Sequence, residues 1–149
     1  MMKEETIRIE NLSTGYFSKK GTKVIAQNIR ASISSGELTC LLGANGAGKS
    51  TLLRTLSAFL RPLSGEIWIR RKRLTDYTDK ELATVIGVVL TEKCHLRNMT
   101  VTELIGMGRS PYTGFWGTLS AKDRQIVSEA IALVRIEELK ERMVHTLSD

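Results

Sequence analysis

The spacing of apolar positions changes character along the chain, and each change marks an element. Ile7 and Ile9 alternate with Arg8 and Glu10, the period of a half-buried strand. Asn11-Leu12-Ser13-Thr14-Gly15 reads as a break, with Tyr16 and Phe17 after it, and Ser18-Lys19-Lys20-Gly21-Thr22 as a polar turn. Val24-Ile25-Ala26, then Ile29, Ala31 and Ile33, predict further strand, closed by Ser34-Ser35-Gly36. Leu38-Thr39-Cys40-Leu41-Leu42 is short and apolar enough for a buried parallel strand. From Thr51 to Leu60 the spacing switches to that of a helix, with apolar residues at 52, 53, 56, 59 and 60. Arg61-Pro62-Leu63-Ser64-Gly65 stops that helix and turns the chain. A short strand follows over 66–70, a weak helix over 78–83, and a second apolar strand, parallel to the first, over 85–90.

Beyond Leu90 the pattern becomes helical. Residues 91–99 are a polar loop. Thr100-Val101-Thr102-Glu103 is a capping box that opens a helix running to about Arg109. Residues 110–119 form an aromatic-rich loop containing Tyr112, Phe115 and Trp116. Ser120 and Asp123 cap another helix, with Ile126, Val127, Ala130, Ile131, Leu133 and Val134 on one side, and a third helix is predicted over 136–144. The reading is an α/β chain: residues 1–90 are antiparallel β leading into parallel strands, and residues 91–149 are a loop and a helical subdomain. No repeat or low-complexity tract is visible.

Composition narrows this little. Apolar residues make up 42% and charged residues 26% of the 149, ordinary for a globular protein. No run approaches the ~18 apolar residues of a membrane span. Met1-Met2-Lys3-Glu4-Glu5 leads into no apolar segment of the kind a signal peptide needs. Cys40 and Cys94 lack a C-x-x-C partner and read as reduced thiols. The net charge of +6 would suit nucleic acid or an anionic surface, but the basic residues are scattered apart from Arg70-Arg71-Lys72-Arg73, which reads as a solvated turn. His95 and His145 read as surface residues.

The chemistry is concentrated in Gly43-Ala44-Asn45-Gly46-Ala47-Gly48-Lys49-Ser50, which fits G-x-x-x-x-G-K-[ST]. The flanking pattern, strand before and helix after, is the context this phosphate-binding loop requires. Glycines let the backbone turn tightly and approach a phosphate with no Cβ in the way. Successive N–H groups then form an anion nest at a helix N-terminus. Lys49 would reach the β- and γ-phosphates, and the Ser50 hydroxyl would ligate Mg²⁺.

With these residues in place, the chain resembles the ATP-binding subunit of an ABC transporter over its whole length. The resemblance is carried by Gly15-Tyr16, by Ser35-Gly36-Glu37 leading into residues 43–51, by Ser64-Gly65-Glu66-Ile67, and by residues 99–104. Gly108-Arg109-Ser110-Pro111-Tyr112 with Trp116-Gly117 resembles the importer subfamily that serves iron–siderophore, haem and cobalamin uptake. The resemblance implies a P-loop NTPase core with a helical subdomain, and ATP with Mg²⁺ as cofactors. Gly43, Asn45, Gly46, Ala47, Gly48, Lys49, Ser50 and Thr51 would hold the nucleotide, with Ser50 on the metal and Lys49 as the one catalytic candidate. Tyr16 would stack on the adenine ring; on that account its ring matters and its hydroxyl does not. It also implies a membrane permease and a second ATP-binding subunit as direct partners, an extracytoplasmic substrate-binding protein as an indirect one, and no nucleic acid. The location implied is the inner face of the cell membrane, cytoplasmic and peripheral.

Two features depart from the family pattern. Where a glutamine is expected after the second strand, alignment places Thr91, with Glu92 next. Leu147-Ser148-Asp149 resembles the opening of the ABC signature, and the rest of it, the Walker B strand and the switch histidine would lie beyond residue 149. On that reading the fragment binds nucleotide weakly and does not hydrolyse it unaided. The alternatives are a soluble ABC-type ATPase acting on nucleic acid or ribosomes, and a P-loop kinase. The helical segment bears on the first: Tyr112, Phe115 and Trp116, near the charges of Glu103 and Arg109, suit a surface for docking a permease, or equally cap the helical subdomain's own core. The β segment before the loop and the Ser35-Gly36-Glu37 entry depart from the kinase pattern.

Overall fold

The computed structural model describes residues 4–19, 21–90 and 98–147. The chain divides into two compact units, residues 1–82 and 83–149. The first is built on an antiparallel sheet of four strands: β1 (Glu5–Ser18), β2 (Gly21–Ser34), β3 (Ser64–Ile69) and β4 (Lys72–Arg73), in the order β2-β1-β3-β4. Ile7 lies opposite Ile69 and Ile9 opposite Ile67, so the period-2 pattern turns one face inward. Ile9, Leu12, Ile67, Ile69 and Leu74 are the buried apolar side chains of this unit. The alternate positions carry Arg8 and Trp68. Trp68 lies between the guanidinium groups of Arg8 and Arg73, 5.0 and 5.1 Å from its ring centroid.

β1 is continuous through residues 11–15, where the sequence predicts a break. It absorbs the irregular stretch by slipping register between Ile9 and Leu12, again before Thr14, and again before Gly15. Asn11 sits at φ +48°, a left-handed conformation that asparagine tolerates, at the first of these bulges. The bulge brings its backbone against β3: a Cβ on Gly65 would lie 2.4 Å from the Asn11 carbonyl oxygen, so only glycine fits there. Between β3 and β4, Arg70 and Arg71 form a two-residue hairpin turn, both at positive φ, +46° and +66°. This is the geometry that Asn-Gly usually supplies.

Neither apolar strand of the sequence reading forms. Residues 37–44 have no regular structure, and Leu38 is 93% exposed. Residues 86–90 are likewise irregular, with Val89 98% exposed, and Val85 ends helix α2 (Asp79–Val85). Apolar periodicity gives a segment strand propensity, but a strand exists only as a pairing, and neither segment has a ladder partner among the described residues. Helix α1 spans Lys49–Leu56, shorter than the apolar spacing suggests. It stops where Ala58 turns left-handed at φ +62° and the Leu60 N–H returns to the Arg54 carbonyl, leaving Phe59 and Leu60 beyond its end.

The second unit contains α3 (Val101–Met107) and α4 (Ala121–Leu133), with Val101, Val127 and Ile131 buried. The predicted third helix is replaced by two short 3₁₀ turns, Glu137–Leu139 and Val144–Thr146. The reason lies in where the backbone bonds go. The carbonyls of Lys140 and Arg142 accept from the N–H groups of Thr102 and Val101, and Val144 N–H donates to the Met99 carbonyl. The segment is tied to the start of α3, and those groups are no longer available for a helical ladder. Among the described residues, no helix is long and apolar enough to cross a membrane.

Candidate functional site

The loop from Gly43 to Gly48 enters α1 through a glycine that the local geometry demands. Gly48 is the N-cap residue at φ +92°, and a Cβ there would lie 2.7 Å from Ile25 Cγ2 on β2. Gly46 is also left-handed, at φ +82°, within the turn closed by Ala47 N–H on the Ala44 carbonyl. Lys49, the first residue of α1, curls back over this turn: its ammonium donates to the carbonyls of Gly43 and Ala44, 2.7 Å each. Ser50 follows, exposed, with its hydroxyl uncommitted among the described residues. Thr51 is buried. Residues 43–51 are therefore contiguous in space as in sequence, with Asn45 and Ala47 exposed on the turn.

The electrostatics of this helix end are unusual within the molecule. α1 has no side-chain cap and no acidic residue in its first turn. By contrast α3 and α4 each begin with a complete capping box, Thr100 with Glu103 and Ser120 with Asp123. In α4 the Asp123 carboxylate accepts from the Ser120 N–H at 3.0 Å and hydroxyl at 2.6 Å, and from Arg109 Nε at 2.9 Å. These bonds, those from Ser120 first and then Arg109, hold its carboxyl down at about 2. Glu81 is held at about 2 in the same way, chiefly by the Thr78 backbone N–H and then by Lys72 at 2.9 Å. The first turn of α1 carries no such carboxylate. It brings together helix N-terminal N–H groups, the Lys49 ammonium and the Ser50 hydroxyl, groups whose chemistry suits an anion.

Tyr16 reaches this end of α1 from β1. Its hydroxyl lies 3.2 Å from the Thr51 hydroxyl, and the residue is 39% exposed. Sequence reasoning assigned the ring a role and the hydroxyl none. The contact joins residues 35 apart in the chain, and no local pattern signals it. The seat of Ile25 against Gly48 escaped for the same reason.

Residues 26–149 match the ABC transporter family. The chain belongs to that family. Its ABC-type sequence is 39% identical over 143 residues to an uncharacterized ABC transporter ATP-binding protein of Methanocaldococcus jannaschii, covering 96% of this chain and 48% of that protein. It is 34% identical over 142 residues to the ferric enterobactin transport ATP-binding protein of Escherichia coli, covering 95% and 51%. The chain spans about half the length of the curated relatives it matches. Among solved structures, an ABC cassette in a dimeric post-hydrolysis state with ADP and Pi superimposes with a TM-score of 0.77 at 23% identity, over 95% of this chain and 63% of that one. The P-loop NTPase fold implied by the family resemblance is therefore the fold of this ABC chain, although the two predicted apolar strands are not formed among the described residues.

The remaining candidates divide sharply. Phe115 and Trp116 are 96% and 87% exposed and meet edge to face at 5.4 Å, whereas Tyr112 lies under the Arg109 guanidinium at 4.0 Å. The flanking charges are committed within the unit, Glu103 to the Thr100 cap and Arg109 to Asp123. Cys40 is a free, exposed thiol, and His145 lies exposed in the last 3₁₀ turn. Thr91, Glu92, Cys94, His95, Ser148 and Asp149 lie outside the described residues.

Proposed function

We propose that residues 43–51 and the start of α1 bind the phosphates of ATP or ADP. In the complete protein, this site would power a membrane importer by ATP hydrolysis. The observation that carries the reading is the uncapped N-terminus of α1: a glycine turn, Lys49 and the Ser50 hydroxyl meet there, with no acidic residue in the helix's first turn. Lys49 would exchange its two carbonyl acceptors for β- and γ-phosphate oxygens. It is the group that follows the negative charge shifting during transfer. The backbone N–H groups of residues 46–51 would orient the phosphate chain. The Tyr16 ring would carry the base. The exposed Ser50 hydroxyl suits a hard, oxygen-seeking cation such as Mg²⁺, which when bound would offset phosphate charge.

The substrate class follows from similarity to the enterobactin transport protein and from the Gly108–Tyr112 stretch: iron–siderophore uptake, with haem or cobalamin as its neighbours in chemistry. The partners would be an integral membrane permease, a second ATP-binding subunit and, indirectly, an extracytoplasmic binding protein. Phe115 and Trp116 are the side chains best placed to meet the permease, because they are apolar, exposed and free of internal duty. The location would be cytoplasmic, on the inner face of the membrane. Calorimetric titration with ATP and Mg²⁺ tests the site: saturable binding is expected, and unchanged affinity in Lys49→Ala would sink the reading. Co-purification of the complete subunit with a membrane permease tests the rest, and retention on nucleic acid at physiological salt without membrane association would favour the soluble ATPase class.

A further inference from the structure

The β1–β2 hairpin touches the phosphate loop at two independent points. One is apolar: a Cβ on Gly48 would lie 2.7 Å from Ile25 Cγ2. The other is polar: the Tyr16 hydroxyl meets the Thr51 hydroxyl at 3.2 Å. Both Gly48 and Thr51 belong to the turn and first helical residues that would cradle phosphate. Thr51 is buried in the first turn of α1, and its backbone carbonyl accepts from the Thr55 hydroxyl at 2.8 Å, so its hydroxyl is presented from a helical, enclosed position. Tyr16 is the more exposed partner, and its hydroxyl contact ties the ring to the third residue of α1, two positions after Lys49.

We infer that the Tyr16 hydroxyl is a positioning group that fixes the distance between the base-stacking ring and the phosphate loop. It thereby makes the site prefer a nucleotide to a bare polyphosphate. This rests on the reading of residues 43–51 as the phosphate cradle. A ring carried by β1 alone could swing with the hairpin. A ring bonded to Thr51 moves with the loop, so stacking and phosphate contacts are made together instead of in competition. The specificity lies in one oxygen that does not touch the ligand.

The test compares two probes, MgATP and inorganic tripolyphosphate with Mg²⁺, titrated into the 149-residue chain by calorimetry. Tyr16→Phe keeps the ring and removes the oxygen. It should weaken ATP by about two- to tenfold, the worth of one net hydrogen bond, and leave tripolyphosphate unchanged. The melting temperature should stay close to wild type, because the ring and its strand position are retained. In a Thr51→Val background the same change should have no further effect on the ATP-to-tripolyphosphate ratio, since the partner is already gone. ATP binding in Tyr16→Phe equal to wild type would overturn the inference, as would equal weakening of both probes, which would mean the hydroxyl merely supports the loop. A wild-type chain that binds both probes equally refutes the inference and spares the cradle. A wild-type chain that binds neither refutes the cradle, and the inference with it.

Discussion

The N-termini of α1 and α4 meet the same physical need in opposite ways. Each ends in N–H groups without intrahelical partners and in the positive end of a helix dipole. At α4 the third helical position is Asp123, which folds back onto Ser120 and also takes Arg109. At α1 the third position is Thr51, whose hydroxyl turns away to Tyr16, and the cap is a bare glycine. One end is closed by the protein's own carboxylate. The other has neither a side-chain cap nor an acid in its first turn, the arrangement expected if an external anion completes it. A helix start with no acid, no cap and a lysine at its first position is thus more informative about function than its apolar spacing.

The comparison can be broken most severely at α1. Lys49→Ala removes the cation over the turn and should lower ATP affinity by at least about an order of magnitude, measured by calorimetry. Ser50→Asp gives α1 a carboxylate of its own. It should suppress nucleotide binding to a similar degree while the melting temperature holds or rises, because an acid in the first turn suits the dipole. If Ser50→Asp bound ATP normally, the open-end argument would be wrong.

At α4 the expected effects are on folding. Ser120→Ala should cost about 1 kcal/mol, visible as a lower denaturant midpoint, with ATP affinity untouched. The pH dependence is smaller and has a defined sign. Asp123 and Glu81 titrate at about 2 in the folded chain, against 3.8 and 4.5 for the unperturbed groups. Their contribution is therefore complete above about pH 4.5 and is lost as the pH falls toward 2. Asp123→Asn should flatten the acid limb of a stability–pH curve. An unaltered acid limb would show that the Ser120 and Arg109 bonds do not survive in solution.

The same contrast explains what the sequence made legible. The capping boxes at Thr100 and Ser120 and the glycine turn that leads into α1 are short patterns in which every residue type has a local job, and they were readable. Thr78 and Glu81 form another such box at the start of α2, bonded N–H to carboxylate at 2.8 Å. It strengthens a helix that apolar spacing alone left weak. What failed depended on partners distant in sequence. Residues 38–42 and 85–90 have the composition of strands but no ladder. Residues 136–144 have helical spacing, yet their carbonyls serve Val101 and Thr102. Residues 11–15 look like a stop and are a bulged strand, because β3 holds Gly65 against them. The pairing of Tyr16 with Thr51 is another distant contact, and it reaches the first turn of α1.

The turn at Arg70 and Arg71 leaves a mark of a different kind. Two arginines hold a conformation that L-residues adopt at a cost of roughly 1–2 kcal/mol each. The hairpin it closes is short and lies away from the loop in sequence. Replacing the pair, Arg70→Asn with Arg71→Gly, should raise the melting temperature without altering ligand binding. In a laboratory selection for heat tolerance that is blind to charge, this tip would be among the first places to change. Persistence of the arginines through such a selection would mean that something reads their charge.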